Sequence, residues 1–396
     1  MNILIINAGS SSIKYQLMGM PSEKVICSGI VERIGSKDAV LKYKTDAVEK
    51  KEILEIQNHK TGFQKIAELL LDVEIGVVKN AEEIEIVGHR VVHGGNTFSD
   101  TTFVTQEVKE KIKELSILAP LHNPQNLEGI VLAEEVFPKA KQVAVFDTSF
   151  HQSIPEKAKK YAIPNKFYSA HGIQVYGFHG TSHKYVSEKA IDYLQEKNSK
   201  IITIHLGNGC SMTAVKNGKS IDHSLGFTPS NGLIMGSRSG DIDHSIIFYL
   251  VETLGYSLNE VNELLIKKSG MLGLTRYSDL RDIQAEAEKG NADCILALEM
   301  NAYRIKKYIG AYTAAMNGLD AVVFTAGIGE NSALLRKMVC ADMDYLGIAL
   351  DDSKNEMKSS ALREINSDDS KVKILIIPTN EELEIAKQAF GLFTDQ

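Results

Sequence analysis

The chain has 396 residues, more than one hydrophobic core comfortably serves, so two domains are expected. Apolar residues make up 43% and charged residues 24%, an ordinary globular balance, and a net charge of −7 argues against a nucleic-acid partner. The short apolar N-terminus lacks a basic flank, no apolar run is long enough to span a bilayer, and Cys27, Cys210, Cys294 and Cys340 form no CxxC pair. These features lead us to expect a cytoplasmic chain with no membrane association and no disulfides.

Ile3 to Ile6 is a β-rich apolar run that ends in the small polar turn Asn7–Ser12, and a second strand follows from Ile13 to Met18. Gln142–Phe146 is another strand, with Asp147 at its end. The opening grammar returns at Lys200–Leu206, with the turn Gly207–Ser211, the strand Met212–Val215 and a hairpin signal at Asn217-Gly218. Gly9 and Gly207 stand 198 residues apart, half the chain, which reads as a duplicated domain. A helix is expected over Asn291–Asn317, then a strand at Ala321–Thr325 and a Gly-x-Gly strand–helix junction, Gly327–Asn331, that leads into a helix from Ser332 to Met338. Lys354–Asp369 is polar and weakly periodic, as a surface excursion would be. Val372–Ile377 is a strand, followed by Thr379–Glu382 and a last helix. Strands alternating with helices make the fold class α/β.

The glycine turns admit two readings. Each is either a plain hairpin or a nest of unpaired backbone N–H groups for phosphate oxygens, with Ser10, Ser12 and Lys14 adding donors and charge to the first. Familiar nucleotide motifs fail. Gly218-Lys219-Ser220 ends like a Walker A loop, but Thr213 stands where the first glycine belongs. Met212 and Ser332 break the two candidate dinucleotide fingerprints, and His89-Arg90-Val91 is not the His-Arg-Asp of a protein kinase.

Eight blocks carry a specific resemblance. They are Asn7–Lys14, Gly88–Gly95, Pro120–Pro124, Val145–Thr148, Gly177–His183, His205–Gly209, Gly236–Asp241 and Gly327–Asn331. In this order the chain resembles the acetokinase family, within the sugar kinase, Hsp70 and actin superfamily. The resemblance implies two duplicated actin-like (ASKHA) domains, each a mixed sheet flanked by helices, with a cleft between them. The expected division is residues 1–148, joined by a C-terminal helix 382–396, and residues 149–381. It also implies reversible, Mg²⁺- (or Mn²⁺-) dependent transfer of the ATP γ-phosphoryl group to acetate, giving acetyl phosphate and ADP, in a homodimer. Propionate kinase is the alternative. A sugar kinase would need a base for its hydroxyl acceptor, and an actin-like switch would hydrolyse ATP with no acceptor.

Phosphoryl transfer to a carboxylate needs no general base, because the acceptor is already ionised; it needs cations in rigid geometry. Arg90 and Arg238, set among glycines, suit that task. The resemblance makes them catalytic with Asp147, which would align arginine and metal, and with His179, which would donate to the transferring phosphoryl group. His179 and His183 have the spacing of half a zinc-protease motif, but Gly180 replaces the required glutamate. The resemblance further implies nucleotide contacts from Asn7, Ser10, Ser12, Lys14, His122 and His205, from Leu206, Gly207, Asn208 and Gly209, from Asp279, Leu280 and Arg281, and from Gly327, Ile328, Gly329, Glu330 and Asn331. Asn7 and Glu381 are the implied metal residues. Val92, Leu121, Phe178 and Pro229 are the implied acyl pocket, with Arg90 facing the carboxylate. His89, His93, His151, His171, His223 and His244 are read as packing or surface residues.

Overall fold

The computed structural model describes residues 1–394. These fall into two compact units: unit 1 is 1–150 together with the chain from Asn380 onward, and unit 2 is His151–Thr379. The expected helix 382–396 runs as Glu381–Thr394, and positions 395–396 lie outside the described residues.

Unit 1 is built on strands β1 (Asn2–Ala8), β2 (Ser12–Gly19), β3 (Lys24–Glu32), β4 (Ser36–Thr45), β5 (Glu49–Ile56), β6 (Ile86–Val91), β7 (Thr102–Phe103) and β8 (Lys141–Phe146). They lie in the order β5-β4-β3-β2-β1-β6-β8-β7. β1 to β5 form an antiparallel meander, while β6 and β8 add to β1 in parallel. Parallel strands are covered on both faces, so β1, β6 and β8 are nearly continuous buried runs. The outer β5 instead alternates exposed and part-buried positions. The helix Glu381–Thr394 packs on β1 and β6. Gly88 permits this, since a Cβ there would lie 2.9 Å from Ile385 Cγ2.

Unit 2 uses β9 (Lys200–Leu206), β10 (Cys210–Lys216), β11 (Lys219–His223), β12 (Ala321–Thr325), β13 (Arg363–Glu364) and β14 (Lys373–Ile376), in the order β11-β10-β9-β12-β14-β13. The meander β9–β10–β11 with parallel β12 and β14 repeats the topology of β1–β2–β3 with β6 and β8. The three-residue loops Gly9–Ser11 and Gly207–Gly209 occupy the same place in each. The duplication read from the 198-residue offset is thus a repeated topology.

One local expectation is refined. The strand–helix junction Gly327–Asn331 is itself helical, within Ala326–Asn331, and a second helix, Ala333–Cys340, starts across Ser332. The cause is tertiary: buried Arg336 donates to the Gly329 carbonyl at 2.8 Å and to Asn355 Oδ1 at 2.8 Å. The same contact draws Asn355 inside, while the excursion expected over 354–369 otherwise stays at the surface apart from Ile365 and Asn366.

Candidate active site

Unit 1 gathers charge at the ends of its parallel strands. Arg90 projects from β6 and Asp147 follows β8, where α/β sheets place ligand groups. Arg90 Nε lies 3.1 Å from both carboxylate oxygens of Asp147 and Nη2 lies 2.6 Å from Oδ2, a forked ion pair. Asp147 is 1% exposed and Arg90 18%. Burial disfavours the guanidinium's charge, but Asp147, Glu381 and Glu382 outweigh it and hold the arginine above its ordinary pKa. Glu381 is shifted the other way: burial raises its pKa, Asp147 and Glu382 add to the rise, and Arg90 and Lys14 oppose it. Lys14 is ion-paired with Glu382. The strand end is fixed by amides, because Val92 N–H donates to Asn126 Oδ1 and His93 N–H to Asn123 Oδ1, each at 3.1 Å.

The remaining expected residues of unit 1 are spread around this cluster. Asn7 is the penultimate residue of β1 and is part-buried, Ser10 is exposed and Ser12 opens β2. The Gly9 loop is closed by Gly9 N–H to Ser12 O at 2.8 Å, and His59 Nε2 donates to Gly9 O at 2.7 Å. His122 is the N-cap residue of the helix Asn123–Val136. Val92 is half-buried and Leu121 is exposed.

Unit 2 carries a cavity of about 760 Å³. Gly207, Asn208, Asp279, Leu280, Arg281, Gly327, Ile328 and Asn331 all line it, which brings together eight of the expected nucleotide residues. Asp279 caps the helix Leu280–Glu288, and hydrogen bonds from Arg281 hold its carboxyl down to about 2. Four expected residues stand behind the wall. Leu206 is buried in β9, His205 Nδ1 lies 2.8 Å from Ser182 Oγ, the Gly329 carbonyl serves Arg336, and Glu330 Oε1 accepts from Thr379 N–H at 3.1 Å.

One end of the cavity is the Gly207–Gly209 turn. A Cβ on Gly209 would lie 2.9 Å from Arg238 Nη2 and 3.4 Å from His179 Nε2, so both donors close on this turn. Burial lowers the Arg238 pKa, yet an arginine stays charged at neutral pH. Its Nη1 donates to the Pro229 carbonyl, so the contact from Pro229 orients the arginine. His179 has a left-handed backbone, φ 55°, and its ring stacks on His205 at 4.4 Å. Phe178, next to it, is buried.

The sequence reading missed Met271, Gln284, Asn301 and Ser332 in this cavity. Gln284 Nε2 donates to Ser332 Oγ at 2.6 Å. Asn301 is 5% exposed and its Oδ1 has no hydrogen-bond partner among the described residues. Its Nδ2 faces the Met271 thioether at 3.7 Å. A thioether accepts and cannot donate, so the amide nitrogen belongs on that side and the oxygen is left for another donor. Nothing local in the sequence marks a polar residue inside a long amphipathic helix as a pocket residue.

Comparison with known proteins gives the family. A family model described as the acetokinase family matches residues 2–387. An acetate kinase of Flavobacterium johnsoniae is 65% identical over 392 residues, 99% of each chain. The crystal structure of Porphyromonas gingivalis acetate kinase superposes with a TM-score of 0.93 at 44% identity, covering 99% of both chains. A propionate kinase from Francisella tularensis gives 0.93 at 42% identity, covering 98% of this chain and 99% of its own. Similarity of this extent leaves one assignment: the chain belongs to the acetokinase family.

Proposed function

We propose that this protein is a cytoplasmic acetate kinase that moves the γ-phosphoryl group of ATP to acetate and runs the reaction in both directions. One observation carries the reading: Arg238 Nη2 and His179 Nε2 close on the Gly207–Gly209 turn of a nucleotide-sized cavity. In transfer, a carboxylate oxygen of acetate forms a bond to the γ-phosphorus while the bond to the β,γ-bridging oxygen breaks and its electrons leave with ADP. No proton moves, so the residues act by positioning and charge neutralisation. Arg238 and His179 donate to the phosphoryl oxygens. Arg90, held rigid by Asp147, takes the acceptor carboxylate, and Val92, Leu121, Phe178 and Pro229 are the residues proposed for its methyl group.

The adenosine end lies among Asp279, Leu280, Arg281 and Ile328, and Asn301 Oδ1 accepts from the 6-amino group of the base. Asn7 and Glu381 suit a hard cation, since both offer oxygen and the crowding of Glu381 by Asp147 and Glu382 favours one. Asn7 and Glu381 would hold magnesium (or manganese), which would supply positive charge to neutralise the outer phosphates.

A homodimer is part of the same proposal. The helix Ser245–Glu252 buries none of its residues although Ile246, Phe248 and Tyr249 lie on it, and Leu296, Met300 and Tyr303 form an exposed stripe on Ala292–Met316. Apolar surface of this kind marks an interaction site.

Arg238→Ala tests the assignment. It should lower kcat about 10²–10³-fold, the usual cost of one transition-state donor, while calorimetry shows ATP binding nearly intact. An unchanged kcat would contradict it.

A further inference from the structure

His179 does not stand alone in unit 2. Its Nδ1 lies 2.8 Å from Ser211 Oγ, Ser211 Oγ lies 2.7 Å from His183 Nε2, and His183 Nδ1 lies 2.7 Å from Thr203 Oγ1. His183, Ser211 and Thr203 are each fully buried. Burial, with His151 and His205 nearby, pushes the His183 pKa well below the ordinary value, so its ring is neutral and carries one N–H.

Each of these contacts needs one hydrogen, and counting them fixes a direction. Among the described residues, the Thr203 hydroxyl has His183 Nδ1 as its one hydrogen-bond partner. A buried hydroxyl hydrogen with no acceptor is costly, so Thr203 donates to Nδ1. His183 then carries its proton on Nε2 and donates to Ser211 Oγ. The Ser211 hydrogen is left with one acceptor, His179 Nδ1. A neutral His179 must therefore hold its proton on Nε2, the nitrogen that closes on the Gly209 turn beside Arg238.

The ring is also held in place from the backbone. Phe178 N–H donates to His223 Nε2 at 3.1 Å, and the Phe178 carbonyl accepts from His151 Nε2 at 3.0 Å. These bonds grip the residue before His179, whose left-handed backbone a non-glycine residue rarely adopts.

We propose that Thr203, His183 and Ser211 form a one-way hydrogen-bond chain that locks His179 in the Nε2–H tautomer, making His183 and Ser211 positioning residues for phosphoryl transfer. The inference rests on the reading that His179 contacts the transferring group. A fixed N–H can donate to a phosphoryl oxygen with no tautomer change during the step, and preorganised donors are the ones that speed a reaction.

Histidine ¹⁵N NMR of the ligand-free protein tests it, with His179→Gln identifying the His179 signals. Neutral His179 should show a protonated Nε2 and an unprotonated Nδ1; a protonated Nδ1 overturns the chain. Ser211→Ala should lower kcat about tenfold, the scale on which lost orienting partners cost activity, with both KM values nearly unchanged. Ser211→Thr, which keeps the hydroxyl, should recover most of that loss. Parental kcat in Ser211→Ala overturns the proposal, and if that variant does not fold, the spectrum of the parent decides. Parental kcat in His179→Gln would instead refute the phosphoryl contact and leave the tautomer result standing.

Discussion

Asp222 is a part-buried carboxyl with a pH signature. Burial pushes its pKa from 3.8 up to about 6, against the single opposing bond from His223 N–H. The folded state therefore binds the proton more tightly than the unfolded chain. Stability is present below about pH 4 and is lost as pH rises through that window to about 6. Asp222→Asn should then stabilise the protein by about 2–3 kcal/mol at pH 8, two pKa units' worth, and change little at pH 4. Denaturant unfolding at both values checks this; an equal shift at both would show that titration is not the cause. At this scale the sequence was most informative where a residue's chemistry dictates its task. Arg90 and Arg238 stood out as cations among glycines and Asp147 as an acid at a strand end, while His179 was singled out by the family resemblance; the fold sets them at strand ends and at the Gly209 turn. Ser211 and Thr203 did not stand out, because a hydroxyl on a strand looks alike whether it faces solvent or a histidine.

The helix Ala292–Met316 shows the same division within one element. Its ends were legible: Asn291 accepts from Cys294 N–H as N-cap, and Asn317 takes the left-handed C-cap at φ 56°. Its contribution to the cavity was not, since Asn301 meets Met271 only through tertiary packing. That the Gly327–Asn331 junction is itself helical was not legible for a like reason, because Arg336, which bonds its Gly329 carbonyl, lies further along the chain. If Asn301 Oδ1 reads the base, ATP should exceed ITP, whose 6-oxygen presents an acceptor instead, by about 10–100-fold in kcat/KM, the cost of one unmatched buried polar group. Asn301→Leu should narrow that ratio. Steady-state assays with both nucleotides measure it, and the same ratio in parent and variant would remove Asn301 from base recognition.

For the whole molecule, the repeat was visible because strand–turn–strand grammar is local and recurs at a fixed offset, whereas the antiparallel strands β4 and β5 that widen the first sheet have no counterpart in the second. The exposed apolar helices of unit 2 call for cover. Phe248→Glu combined with Tyr303→Glu should turn a homodimer into a monomer by light scattering; a dimer that persists would place the interface elsewhere. The central claim is the acceptor. Incubation with ATP, magnesium and acetate in the presence of hydroxylamine, which captures acyl phosphates as hydroxamates, tests it most directly. The account predicts acetyl hydroxamate in step with ADP, with acetate favoured over propionate about 10- to 100-fold in kcat/KM. ADP formed without hydroxamate, or propionate as the better substrate, would contradict it.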